Sequence, residues 1–554
     1  MCASRNRKDS MVRRFAVAGF IFSVLLFWIF KAYSWFPSPG DEFIYVYQGF
    51  MVSIGRIPYR DFFMAHPPVQ SAVTGLVLFL VQGFNYTLAR MLPWIWTTAA
   101  ATGLFVLLWD RRRYAGAAVA VFMFLSGYDL LRASSHLTGV NQAVCFMIWA
   151  AVLMGRNRPV VGGILCALAL QTRFYVLPGV AALMLGALFF FPERRGVNFF
   201  FKAALSCAAA FIFVLLVSIL VAGWEPVYTQ VFKYHWSKPP MQGGSLDSIW
   251  RRVLYNNFSL YMGGLTAAAG LFFRTLDGFI RKKGFPEHAG FLFTAVIAAG
   301  LQLGILGVVD RVWMFYFYPA YPFLAVLTAW VLVSGGSALI RVGGSVFRSE
   351  IRKTVKASAG PLFALMFFVI GWAWHVEWQG GNEATEKKYL KTYQFKEAPV
   401  PDFVNGAVRS LFWVDDRYDA TFYNVWTLYL WHESRVFDQV FKAAKMLKEK
   451  CGPDDALFGD SGSAPLLSLL SGCRLAADES DTNILRFRSG LTNPDEFISR
   501  VEKDGLRFML LRPRFGVAAL PQVVNLQRSD FGLLGVFQRE GAARYYLFEK
   551  KPGI

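Results

Sequence analysis

Asp41 and Glu42 stand side by side just past the first long apolar run, with Tyr45 one helical turn on. From Ile57 the chain reads Ile57-Pro58-Tyr59-Arg60-Asp61-Phe62-Phe63-Met64-Ala65-His66-Pro67-Pro68. A carboxylate or an imidazole can take a proton from an attacking group. A guanidinium can hold an anionic leaving group through two parallel donors. Such side chains are costly beside hydrocarbon, so a chain that keeps them there has a use for them. Further polar residues share this character: Asp129 and Arg132 before His136, Arg173 after Gln171-Thr172, and Asp310-Arg311 ahead of Tyr316-Phe317-Tyr318-Pro319. Each has a plainer reading too. Arg60 and Asp61 could be a local ion pair in a proline-fixed turn, Asp129 a structural residue near a span end, and Arg311 a partner of Asp310.

The elements that must position these groups are membrane helices. Hydrophobic residues make up 55% of the 554 and aromatics 17%, more than soluble domains use. Apolar runs long enough to cross about 30 Å of hydrocarbon recur up to Trp374 and stop after Glu377. The net charge of +20 is uneven: residues 1–376 hold 33 Lys+Arg against 13 Asp+Glu, and residues 377–554 hold 24 of each. Basic clusters such as Arg111-Arg112-Arg113 fall in short loops and read as inner loops, not as a nucleic-acid surface. Eleven crossings follow, near 13–33, 90–109, 114–127, 138–154, 159–172, 175–191, 200–222, 257–274, 289–308, 318–336 and 359–376. The apolar segment 69–84 is expected not to cross, because a crossing there would put Arg112 outside. The N-terminal anchor lacks a small-residue cleavage site and stays attached, with its N-terminus inside. The polar residues above then all gather on the outer side.

The Asp41-Glu42 pair with Pro58-Tyr59-Arg60-Asp61-Phe62 and His66-Pro67-Pro68 resembles the first outer loop of GT-C glycosyltransferases, residues 34–89 here. The nearest in motif are protein O-mannosyltransferases and lipid A aminoarabinose transferases. The resemblance implies a polytopic α-helical GT-C catalytic domain over 1–376 and a donor that is a polyprenyl-phosphate sugar. Asp41 would be the catalytic base, with Glu42 tuning or positioning it. Tyr45, Tyr59, Arg60, Asp61, His66, Asp129, Arg132, Arg173, Arg311 and Tyr316 are the candidate substrate-binding residues. His66 stands where the aminoarabinose transferases carry a phosphate-contacting lysine, so arginines, Arg311 first, are expected to take the phosphate charge.

Residues 377–554 read as a soluble α/β domain on the outer side. Strands are expected at Ala456–Asp460, Arg507–Leu511 and Tyr545–Phe548, and helices over Ala464–Leu470 and around Glu433–Lys450. Cys451 and Cys473 flank one strand-helix unit and could pair in an oxidising compartment. Cys145, Cys166 and Cys207 sit in apolar spans as small fillers.

The expected activity is inverting transfer of a monosaccharide from the lipid carrier to a glycan, lipid or protein acceptor, at a bacterial inner membrane with the C-terminal domain periplasmic. No cofactor is required. A divalent metal at Asp41 and Glu42 is conceivable, but two adjacent side chains make a poor cage. Two other classes compete. A secondary transporter would place charges in broken helices at mid-membrane and show matching halves. An oligosaccharyltransferase would need a metal-holding acidic set and a peptide-reading motif in the tail.

Overall fold

The computed structural model describes residues 2–32, 41–189, 196–238, most of 250–280, 289–307, 314–345, fragments of 361–369, and 439–513, 516–538 and 544–552. Helices occupy the first ten segments expected to cross: α1 (Cys2–Ala32), α4 (Tyr86–Trp109), α5 (Tyr114–Leu125), α7 (Val140–Gly155), α8 (Pro159–Leu170), α9 (Leu177–Phe189), α10 (Gly196–Ala222), α11 (Phe258–Ile280), α12 (Ala289–Leu306) and α13 (Tyr321–Ser345). The eleventh, 359–376, is described only in fragments between 361 and 369, and Asp310 and Arg311 lie outside the described residues. Among the described residues, four helical stretches are long and apolar enough to cross a membrane: Asp9–Ile29, Tyr86–Trp109, Val197–Ala222 and Phe315–Val342. α5, α7, α8, α9 and α12 are shorter apolar helices, and the chain is a multi-pass membrane protein.

The bundle packs closely where small residues let backbones approach. Gly103 of α4 lies against Ile148 and Trp149 of α7, and the Trp149 indole donates to Ala99 O at 3.0 Å. Outer faces stay apolar, with Phe213 and Leu220 of α10 exposed. Local signals set the ends. Asn85 caps α4 by accepting from Leu88 N at 2.9 Å, and Pro159 opens α8.

Two short helices form a hairpin at the bundle's mouth, α2 (Glu42–Ser53) and α3 (Val69–Leu80). Each has 12 residues, about 18 Å at 1.5 Å per residue, too short to cross. Gly49 and Gly75 bring them together: a Cβ on Gly49 would sit 2.5 Å from Thr74 Cγ2, and one on Gly75 2.7 Å from Val52 Cγ1. Between α5 and α7 lies the short helix α6 (Tyr128–Ala133).

Residues 439–552 build a mixed five-stranded sheet in the order β2-β1-β3-β5-β4. β1 (Ala456–Gly459) lies between β2 (Arg474–Leu475) and β3 (Leu506–Leu511), parallel to both. β5 (Arg544–Lys550) joins β3 antiparallel, and β4 (Phe531–Gln538) completes the edge. The helices of this unit are α14 (Gln439–Lys450), α15 (Ala464–Ser471), α16 (Ile484–Arg488), α17 (Pro494–Lys503) and α18 (Pro521–Asp530). Cys451 and Cys473 are bonded, with Cα atoms 5.8 Å apart. The unit rests on the hairpin: Leu475 N donates to Tyr47 OH at 3.4 Å, and the Arg486 guanidinium lies 4.0 Å over the Phe63 ring.

Candidate active site

Asp41 is the N-cap residue of α2, and its side chain makes no capping bond. The residue is exposed to solvent, yet its carboxyl lies in surroundings dense with protein. That enclosure raises its carboxyl above the usual carboxylate range, against the opposing fields of Arg173, His136 and Lys238. Asp41 is therefore a reachable carboxylate surrounded by cations.

Glu42 has the opposite setting. It is 1% exposed and pairs with the fully buried Arg90 of α4. The same carboxylate stands 3.6 Å from His136 Nδ1, and its other oxygen accepts from Leu137 N at 3.4 Å. These bonds pin the first turn of α2 to the bundle and fix where Asp41 stands.

Arg173 is buried and held on three sides. Its Nε donates to Thr138 O at 2.7 Å, one terminal nitrogen to Gln70 Oε1 at 2.5 Å and the other to Thr172 O at 3.3 Å. Its guanidinium lies 4.6 Å over the Tyr45 ring. The Tyr45 hydroxyl is 3.0 Å from His66 Nε2. Burial holds His66 well below the usual histidine range, helped by the charge of Arg173 and by His235 and Lys238. His66 is thus a neutral imidazole, and any phosphate cation must lie elsewhere. Tyr59 fixes this corner: its hydroxyl donates to His66 O at 2.8 Å, and its backbone carbonyl accepts from Gln230 at 2.7 Å. These bonds hold Tyr59 at φ 69°, an uncommon angle for a residue with a Cβ.

The stretch 224–238 adds two groups. His235 Nε2 donates to Ala65 O at 2.6 Å, which leaves Nδ1 to accept from Lys238 Nζ at 3.4 Å. The His235 and His66 rings lie 5.4 Å apart.

Several expected residues serve other purposes. Arg60 and Asp61 form an exposed pair at 2.9 Å, and Asp61 accepts from Ile57 N at 2.7 Å, so they close their own turn. Asp129 is buried; its carboxylate accepts from Asn257 at 2.6 Å and from the Tyr321 hydroxyl at 2.9 Å. That network ties α6 to α11 and α13. Arg132 sits half-buried on α6, and Tyr316 stacks on Tyr175 at 4.6 Å.

Sequence reasoning did not find Gln70, Gln230, His235, Lys238, Asp460 or Asp481. Asp460 follows β1 and Asp481 follows β2, and both are buried. Burial raises both carboxyls, Asp460 to about 6, and the field of Asp41 adds to each. Among the described residues, no group of three or more His, Cys, Asp or Glu is placed to hold a metal ion.

Beside the hairpin an apolar cleft of about 340 Å³ opens between α2, α3 and α10, lined by Val52, Ile57, Val69, Phe213, Val217 and Val221. Tyr59 and Pro68 line it as well.

An apolar helical bundle, a short hairpin packed on it and an α/β unit resting on the hairpin make up the fold of this chain, and that fold has solved counterparts. The structure is similar to ArnT from Cupriavidus metallidurans bound to undecaprenyl phosphate, with a TM-score of 0.56 and 13% identity, covering 97% of this chain and 98% of that chain. It is also similar to the apo state of ArnT from the same organism, with a TM-score of 0.53 and 14% identity, covering 96% and 97%. No protein-family model matches the chain, and no curated protein matches it.

Proposed function

We propose that this protein is an inverting glycosyltransferase that moves a monosaccharide from a polyprenyl-phosphate carrier to an acceptor at the membrane surface. The observation that carries this reading is the exposed Asp41 in the fields of Arg173 and Lys238, on a hairpin that also borders an apolar cleft. The similar ArnT structure holds undecaprenyl phosphate, a lipid of the class such a cleft would accept.

In this reading the isoprenoid lies along Val52, Ile57, Val69, Phe213 and Val217, reached sideways from the bilayer. Asp41 takes the proton of an acceptor hydroxyl or amine as that atom attacks the anomeric carbon. The bond from that carbon to the phosphate oxygen breaks, and its electron pair leaves on the phosphate. Arg173 supplies a fixed positive field and Lys238 a more mobile charge to meet it. Tyr45 and neutral His66 hold the sugar-side wall. Eleven spans, an inner N-terminus and a periplasmic C-terminal domain over 377–554 complete the proposal.

The test is transfer in proteoliposomes supplied with a labelled undecaprenyl-phosphate sugar. Asp41→Asn should abolish release of free undecaprenyl phosphate while the protein still folds. Wild-type turnover in that variant would refute the reading.

A further inference from the structure

A ladder of aromatic rings follows the end of α10 that borders the hairpin. From Trp224 to Ser237 the chain forms a short α-helical turn, a π turn at Tyr228–Lys233 and a second α-helical turn. Trp224, Tyr228, Phe232 and Trp236 recur at every fourth residue. Their successive ring centroids lie 5.5, 6.4 and 6.4 Å apart. Both ends of the ladder are open, Trp224 being 59% exposed and Trp236 74%. Val227, Val231 and Tyr234 of the same stretch are buried.

Two points set the level of this ladder against the membrane. The stretch Val197–Ala222 is long and apolar enough to span, and Leu220 near its end is 83% exposed. Trp224 comes two residues after Ala222, at most about 7 Å further along the chain. That distance matches the headgroup layer, roughly 5–7 Å thick on each side of the hydrocarbon. Phe232 stacks at 5.7 Å on Phe174, in the turn between α8 and α9. Gln171 O of that turn accepts from Val69 N of the hairpin at 3.2 Å, so both points lie at the same end of the bundle. Tryptophan and tyrosine concentrate in this layer, where an apolar ring and a polar tip are both accommodated.

Other side chains of the stretch hold the loop that carries His66. Met64 N donates to Gln230 Oε1 at 2.8 Å, and Gln230 Nε2 donates to Tyr59 O at 2.7 Å, so one amide bridges two parts of the loop. His235 Nε2 donates to Ala65 O at 2.6 Å. In an α-helix, positions 230 and 235 would point about 140° apart. The wider π turn narrows that angle, and both side chains reach the loop.

We propose that the ladder of Trp224, Tyr228, Phe232 and Trp236 is seated in the headgroup layer of the bilayer, and that this seat holds Gln230 and His235 against residues 59–66. The membrane surface then forms part of the scaffold that places His66, and Gln230 is a positioning residue. The seat stands apart from the transferase reading, because its test involves neither transfer nor the carrier lipid.

The experiment places the full-length protein in nanodiscs containing a phospholipid with a photoreactive diazirine near the carbonyl end of its acyl chain. After illumination, peptide mapping should find the label at residues 224–236, with the α10 stretch 197–222 labelled as the internal standard. Hydrogen exchange is then read at the Met64 amide, which its bond to Gln230 should protect. The double variant Trp224→Ser with Trp236→Ser should raise that exchange about tenfold, as should Gln230→Ala, with strand β3 unchanged. Trp224→Phe with Trp236→Phe should keep the protection. Label in α10 but not at 224–236, or wild-type exchange at Met64 in the double serine variant, would overturn the proposal. Exchange rising equally in β3 would show general loosening and overturn it as well.

Discussion

Asp41 and Glu42 are neighbours in the chain with opposite surroundings: Asp41 meets solvent in the cleft, while Glu42 is sealed against Arg90. One carboxylate is free to react because the other anchors the helix that carries it.

That division separates their variants. Glu42→Ala leaves Arg90 buried without its counter-charge, a loss of about 3–5 kcal/mol. Asp41→Asn should leave stability close to wild type. Thermal unfolding of the purified proteins distinguishes them; a marked drop in Asp41→Asn with none in Glu42→Ala would reverse the assignment.

The pH dependence has a fixed sign. A base must be ionised, and burial raises Asp41 while Arg173 pulls it back. Transfer should therefore fall with decreasing pH at a midpoint above the ordinary carboxylate value of about 4. Arg173→Gln should move that midpoint upward as well as slowing transfer. A downward move would contradict the electrostatic role given to Arg173.

Much of the hairpin was legible in the sequence because its chemistry is local. Asp41, Tyr45, Tyr59 and His66 lie within one short stretch, and prolines mark its turns. Arg173 stood out as a lone cation on the side poor in basic residues. The partners were hidden because they come from afar: Gln230 and His235 reach the loop across 166 and 170 positions. Asp129 had two readings, substrate ligand or structural residue near a span end, and the bonds of Asn257 and Tyr321 to one of its carboxylate oxygens show the structural part it plays. Strand β4 was missed because Gly532 and Gly535 interrupt its alternation.

Asp460 carries a stability penalty with a definite sign. Its carboxyl sits at about 6 in the folded protein against 3.8 unperturbed. The folded state thus binds more protons than the unfolded state between these values, and stability falls as pH rises through them. Above pH 6 the full penalty is present, at most about 3 kcal/mol. Asp460→Asn should therefore raise the melting temperature at pH 7.5 and change it little at pH 3.5. Equal shifts at both pH values would show that its charge is not the cause.

The contact between α2 and α3 leaves no room for side chains at Gly49 and Gly75. Gly75→Leu should force the hairpin apart and lower stability by roughly 1–3 kcal/mol, with loss of transfer. Gly55, which has nothing within 4 Å of a Cβ, lies at φ 87°. Its replacement should strain only the turn. Unfolding midpoints of both variants check the difference.

The most direct test is native mass spectrometry of purified Asp41→Asn beside wild type. A polyprenyl-phosphate sugar should be retained by the variant and found spent, as the bare polyprenyl phosphate, in wild type. A small polar solute bound equally by both, with no lipid carrier in either, would contradict it.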